Sequence, residues 1–294
     1  MERVKVTRPV VLVFLMLFFA LLVGCNSAKQ PPAQAKGKVV ATGAFEKYFG
    51  PAPVTDKECS YAFVIYFPSA KEAGKVVPFP FFSFDEPSLK KVALGKLVVG
   101  LGDVASYRGE LLQPFPAGSR ILDVSEAGGN VTVNLSREVA AARPEQQRVL
   151  VDAVVLTARQ FRGVTGVGIK VEGADTPLGK LAGTADDKTV LPPGPPRLLS
   201  VTAVKEKGVA DIDEIDAYFD RPLEIKELTL SGADGKRIEG DIFQSVFDMA
   251  GVLKMKSRKP LQAGMPIKVH WKVVDKLGRA ASGDGDVPLE VKEH

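Results

Sequence analysis

Histidine is almost missing from this chain. Of 294 residues, only His270 and the terminal His294 carry an imidazole. Histidine is the commonest general base and the commonest metal ligand, so most triad and zinc-site schemes lack a part. Cysteine is equally scarce, at Cys25 and Cys59. With Cys25 otherwise engaged, as argued below, Cys59 has no partner, and no disulfide framework is expected. Cys59 reads as a small residue beside a strand. Excess charge is missing too. The formal net charge is +4, and Arg3, Lys5 and Arg8 against Glu2 supply two of those four. The remainder, about +2, is too weak to argue for nucleic acid. There is also no long apolar run, since the uncharged stretch from 9 to 23 falls short of the ~20 residues a spanning helix needs.

That short stretch is nonetheless informative. Basic residues precede it, and Asn26, Ser27 and Lys29 follow at once, which is the build of a secretory signal peptide. It ends in Leu22-Val23-Gly24-Cys25, which resembles the lipobox of bacterial lipoproteins. The resemblance implies a signal peptide over residues 1–24, cleavage before Cys25, and a lipidated Cys25 that anchors the chain to membrane lipid on the extracytoplasmic face of the cell membrane. Residues 25–57, opening on a Pro/Ala/Gln/Lys mixture, read as a flexible tether. Phe45, Tyr48 and Phe49 interrupt it and are expected to pack on the chain's own folded domain.

From residue 58 to 174 the pattern predicts an α+β domain ordered strand, helix, strand, strand, helix, strand. Residues 61–67 are aromatic and β-branched, a buried strand. Residues 76–84 form a second apolar run, which Pro78 and Pro80 keep from a central position. A helix opens at Pro87 and Ser88 and stops at Gly100. A hairpin turns at Gly128-Gly129, and its second strand alternates at Val131, Val133 and Leu135. Pro144 opens a helix whose stripe runs through Leu150, Ala153, Val154, Thr157 and Phe161. A last strand covers 167–171. Two helices on one face of a small sheet are expected.

The order and spacing of several of these pieces resemble the GerMN domain of spore-germination and sporulation proteins. They are Leu97-Val98-Val99-Gly100, Pro116-Ala117-Gly118-Ser119, Val131-Thr132-Val133-Asn134-Leu135-Ser136, Thr157 to Phe161, and the strand leading to Gly173. The resemblance implies a non-enzymatic module that packs against a copy of itself or a neighbouring envelope protein, as in ring-building secretion and sporulation complexes. Gly100 is followed by Leu101, where that family often has proline.

Residues 175–196 end in Pro192-Pro193-Gly194-Pro195-Pro196 and read as a stiff linker. Residues 197–294 are β throughout, with about seven short strands and turn signals such as Asp234-Gly235, an immunoglobulin-like sandwich. In 267–274, Ile267, Val269, Trp271 and Val273 share one face. Phe219-Asp220-Arg221-Pro222, Pro260-Leu261-Gln262-Ala263-Gly264 and Trp271 to Asp275 with Gly278 resemble CopC-like sandwiches. The copper ligands that this resemblance implies are absent, because Arg279 follows Gly278 and the domain starts internally at Arg197. The fold is carried over and the metal site is not.

No catalytic set, cofactor site or metal site is expected. Asp211, Asp213, Glu214 and Asp216, and again Asp284 and Asp286, could attract Ca²⁺. Without EF-hand spacing they read as a solvated strand edge. The glycines of 163–168 precede a strand and not a helix. Ser60, Ser136 and Ser282 lie in no nucleophile elbow. His270 alternates away from the apolar face. The expected function is a non-catalytic, membrane-anchored scaffold that pairs with envelope proteins or itself, with a role in sporulation or germination. The alternative is an extracytoplasmic small-ligand or metal-binding lipoprotein that uses the sandwich's acidic loops.

Overall fold

The computed structural model describes residues 37–55, 59–101, 107, 109–205, 207–209 and 211–293. Cys25, the signal peptide, the start of the tether and His294 lie outside the described residues.

The first region is built on β2 (Cys59–Pro68), whose residues from Ala62 to Phe67 are all buried. It pairs antiparallel with β3 (Val76–Ser83) and parallel with β1 (Lys38–Ala41). Only β2 lies beside β3 in this three-stranded sheet, the edge position that Pro78 and Pro80 require. Between β1 and β2 runs α1 (Gly43–Phe49), capped by the Thr42 side chain, which accepts from the Phe45 amide. Phe45 and Phe49 are fully buried in the first core. The tether expected over 25–57 is therefore corrected for 37–55. These residues form a strand and a helix that complete the first domain, because three aromatic side chains and a free edge of β2 give them apolar surface and hydrogen bonds to gain.

Two longer helices, α2 (Leu89–Val99) and α3 (Pro144–Arg159), pack on β2 and on each other. The hairpin of β4 (Ile121–Ala127) and β5 (Asn130–Leu135) turns at Gly128 and Gly129, both with positive φ, as the tight turn demands. Strand β6 (Gly166–Val171) pairs parallel to β5, and β7 (Ala174–Asp175) adds two residues. The strands thus form two sheets, of three and four strands, where one was expected. The reason lies at the edge of β2. Beyond Ala62, where β1 ends, the β2 backbone is hydrogen-bonded by side chains at the end of α3. Gln160 accepts from the Val64 amide at 2.9 Å and donates to the Val64 carbonyl at 2.6 Å, and Thr157 Oγ1 accepts from the Tyr66 amide at 3.2 Å. A helix occupies the place of a fourth strand and satisfies the same backbone groups.

The linker expected over 175–196 is also corrected. It contains α4 (Pro177–Leu181) and two 3-10 turns. Leu178 and Ala182 are buried in the first core, and Leu191 donates to the Val76 carbonyl at 2.8 Å. Only the prolines from 192 to 196 remain as a connecting strap.

The second region is a single seven-stranded array, ordered β10-β13-β14-β8-β9-β12-β11. Its strands are β8 (Leu198–Lys205), β9 (Asp211–Phe219), β10 (Leu223–Ser231), β11 (Gly240–Gln244), β12 (Ala250–Pro260), β13 (Pro266–Asp275) and β14 (Ala280–Glu293). Strand β14 pairs antiparallel with β13 over its first part and parallel with β8 over its last, from Leu289. One strand serving two layers turns the array into a sandwich. The core holds Val201, Ala203, Ile215, Ala217, Leu253, Ile267, Val269 and Val273. Trp271 packs edge-on against Phe219 at 5.4 Å.

Candidate functional site

Two constellations of polar residues stand out, one at the joint between the two regions and one on the outer face of the sandwich. The joint is organised by Arg221, which is 3% exposed. Its Nε and Nη2 donate to Asp220 at 2.9 Å each. Its Nη1 donates to the Gly194 carbonyl at 2.7 Å, and Asp275 Oδ2 lies at 3.5 Å. Asp275 also accepts from the Arg279 Nε at 2.6 Å and from the amides of Leu277 and Arg279. Arg279 continues outward to the Pro193 carbonyl and, at 2.8 Å, to the Tyr48 carbonyl of α1. The Arg221 guanidinium lies over the Phe49 ring at 5.9 Å, a cation–π contact. Arg197 pairs with Glu110 across the same joint.

Every charge in this group is paired, and both carboxylates are occupied on both oxygens. Such a network fixes the strap and the two regions in one arrangement, and it leaves no unpaired base or acid for chemistry. The residues come from the Phe219-Asp220-Arg221-Pro222 and Asp275-to-Gly278 motifs, which the sequence displayed without showing that they meet. A second contact reinforces the joint. Phe247 stacks on Phe82 of β3 at 4.2 Å and lies 5.5 Å from Phe84. Phe247 and Asp248 both have positive φ, an uncommon strain for such side chains that turns the ring toward the first region.

The residues singled out in the sequence are scattered. Asp213 pairs with Arg258 at 2.8 Å, and Asp211 and Asp286 are exposed. His270 is half-exposed, with Nδ1 2.6 Å from Asp284 and Nε2 3.3 Å from Glu227. These hydrogen bonds raise its pKa above the ordinary histidine value, Asp284 contributing most. Cys59 is exposed at the start of β2. Among the described residues, no group of three or more His, Cys, Asp or Glu is arranged to hold a metal ion, and no helix is long and apolar enough to cross a membrane.

Asp216 departs from expectation. Strand β9 is interior, between β8 and β12, so the solvated edge expected there is corrected. Asp216 points away from the core yet is 5% exposed. Its Oδ2 accepts from the Tyr218 hydroxyl at 3.0 Å, while Oδ1 has no hydrogen-bond partner among the described residues. Burial pushes its pKa up, Tyr218 and Lys292 pulling it down and Glu214 adding to the rise. The Tyr218 phenol is raised in turn, by burial first and by Asp216 next.

Several large apolar side chains are exposed. On the first domain they include Val99, Leu112, Phe84 and Leu122, the last on β4, an edge strand. On the sandwich they include Ile242, Phe243 and Val246.

Residues 64–177 match the Germane family model, described as sporulation and spore germination. The part of the chain that matches this model is the first domain, and the β-sandwich lies beyond it. Among solved structures, the first GerMN domain of the sporulation protein GerM from Bacillus subtilis is similar at 22% identity. That match covers 39% of this chain and 85% of that one, with a TM-score of 0.34. The tandem GerMN domains of the same protein match at 16% identity over 79% of this chain and 60% of that one, with a TM-score of 0.35. CopC from Methylosinus trichosporium OB3b matches at 15% identity over 34% of this chain and 97% of that one, with a TM-score of 0.23. No curated protein sequence matches the chain significantly.

Proposed function

We propose that this protein is a non-catalytic lipoprotein of the bacterial envelope, held to the membrane through Cys25 and acting as a protein–protein assembly module in sporulation or germination. The Germane match over residues 64–177 carries this reading. The saturated joint and the exposed apolar side chains of the first domain agree with a role in recognition. The acyl chains would restrict the protein to two dimensions and raise its effective concentration for a partner or a second copy. The tether in this reading is short. Residues 26–36, even fully extended, reach at most ~40 Å, so assembly would occur close to the bilayer and the joint would hold the sandwich in a set direction.

The test is crosslinking and co-purification of the tagged full chain from native membranes, beside Cys25→Ser and Leu122→Lys. The native chain should capture an envelope protein or a ladder of its own copies. Cys25→Ser should leave the membrane fraction, and Leu122→Lys on the β4 edge should thin the capture. An empty capture with the native chain would sink the assembly reading, and a membrane-bound Cys25→Ser would sink the lipid anchor. A ligand-binding reading of the sandwich gains support from Asp216 alone.

A further inference from the structure

Asp216 sits at the floor of an open cleft of about 740 Å³ on the outer face of the sandwich. The register explains its place. Phe243 of β11, Val252 of β12, Asp216 of β9 and Thr202 of β8 lie in one row across the strands, and Glu214 and Tyr218 flank Asp216 along β9. The side of the cleft toward β11 carries Phe243, 54% exposed, and Val246, 47% exposed, backed by Phe247 and Met249, with Gln244 and Ser245 between them. A carboxylate that is nine-tenths buried, with one oxygen unpartnered, is costly in a folded protein. It persists here at the base of a concave surface with exposed aromatic walls. Glu214 and Asp216 face the cleft against Lys254, so the lining carries one excess negative charge when both acids are ionised.

We propose that this cleft receives one basic side chain, arginine or lysine, from a protein partner. Its cationic head would meet Asp216, and its aliphatic stem would lie along Phe243, Val246 and Val252. The chemistry is complementary in each part. A guanidinium or ammonium supplies the donor that Asp216 Oδ1 lacks, and the Tyr218 and Phe243 rings suit a desolvated cation. The long stem of such a side chain suits an apolar wall. The openness of the cleft and its exposed apolar rim favour a side chain presented on a protein over a free amine, which would be more fully enclosed. The protein nature of the partner rests on the assembly reading, whereas the cation specificity does not.

The test is calorimetry on the detergent-solubilised full chain. The probes are a capped Ala-Leu-Arg-Leu-Ala peptide, the same peptide with citrulline in place of arginine, and butylguanidinium alone. The arginine peptide should bind, and the citrulline peptide and butylguanidinium should each bind about tenfold or more weakly, because citrulline loses the charge on the donor, and butylguanidinium, which keeps the guanidinium and an aliphatic stem, loses the contacts of the flanking peptide. Asp216→Asn should weaken the arginine peptide by about ten- to hundredfold, with folding checked by Trp271 fluorescence. Phe243→Ser, an exposed position that leaves the core intact, should weaken it less. Equal binding of the arginine and citrulline peptides, full binding by Asp216→Asn, or no binding by the arginine peptide at millimolar concentration would each overturn the site. Butylguanidinium binding as tightly as the peptide would overturn the protein partner in favour of a free amine. All these readouts are independent of crosslinking in membranes, so either idea can fail alone.

Discussion

The two regions of this molecule bury different things. The first domain is closed by aromatic rings: Phe45, Phe49, Phe63 and Phe67 are fully buried, and Phe63 and Phe67 both lie beside Phe81. Among the described residues of the sandwich only Phe219 is a fully buried large aromatic, and the buried side chains include Asp216, Asp220, Arg221 and Asp275. An apolar core gains stability from area removed from water and tolerates no vacancy. Buried charges gain little net stability, but each must be answered by a partner, so they fix geometry. Both regions gain stability from apolar cores, and the first also buries the carboxylate of Asp152; the charged end of the sandwich dictates how the two regions meet. Asp216 is the exception among the buried charges of the sandwich, because its second oxygen has no partner among the described residues.

Removing the centre of the joint should have the largest effect. Arg221→Met leaves Asp220 and Asp275 buried without their shared cation, and losing one partner of a buried ion pair costs about 3–5 kcal/mol. Urea unfolding followed at Trp271, the only tryptophan, reports the sandwich, while far-ultraviolet dichroism reports the helices of the first domain. The native chain should show coincident transitions. In Arg221→Met the tryptophan transition should come first and separate from the helical one. A single transition shifted by less than about 1 kcal/mol, far below the cost of a broken buried pair, would show that the joint does not couple the regions.

The complementary change lies in the aromatic core. Phe45 is fully buried, and Phe→Ala in a core costs about 3 kcal/mol or more through lost burial and the cavity left behind. Phe45→Ala should therefore destabilise the helical transition by that amount while Trp271 retains its native emission. The same measurement tests whether residues 37–55 belong to the fold. A tether would lose nothing on this substitution.

How much of this was legible in the sequence follows from the range of the forces involved. The strand at β2, the stripe of α3 and the alternation of β13 were readable because local periodicity encodes which face is buried. The GerMN resemblance extended that reading to the order of elements, and the family match agrees. Strand β1 and helix α1 were not readable, since they are short and their stability comes from Cys59 to Ala62, about twenty residues onward. The linker failed similarly, because Leu178 and Ala182 look ordinary until the first core receives them. Asp216 was misread because alternation marks it as outward-facing, and outward normally means wet. Its burial depends on Thr202 and Val252 on neighbouring strands, which no local pattern reveals. The polar joint was visible only as two motifs, since Asp220 and Asp275 are joined through Arg221 across half the sandwich.

Asp216 makes the stability of the sandwich depend on pH. Its proton is held more tightly in the folded chain than in the unfolded one, chiefly because of burial. The folded state then binds more protons, so stability falls as pH rises from the ordinary aspartate range, about 4, through the raised folded value. Asp216→Asn should abolish that segment of the slope and be more stable than the native chain at pH 7, an effect smaller than either core change. The opposite sign, with the Asp216→Asn variant less stable than the native chain at neutral pH, would mean that the carboxylate is satisfied and the cleft is not poised for a cation.

His270 gives the smallest effect; its pH slope has the same sign, but its substitution destabilises where that of Asp216 stabilises. It is half-exposed, and Asp284 and Glu227 hold its proton more tightly than in the unfolded chain. A group whose folded pKa is raised stabilises the fold below its unfolded value, about 6.5 for histidine, and that contribution disappears as pH rises through the folded value. His270→Gln should therefore be slightly less stable than the native chain near pH 6 and indistinguishable from it near pH 9. Added salt should shrink the difference, because exposed ion pairs are screened. The two substitutions together separate a charge that the solvent can answer from one that it cannot. His270 should respond to salt and Asp216 should respond less, since screening acts weakly on a carboxylate that is nine-tenths buried. If both respond alike, Asp216 is wetter than its place in the row beside Val252 and Thr202 implies.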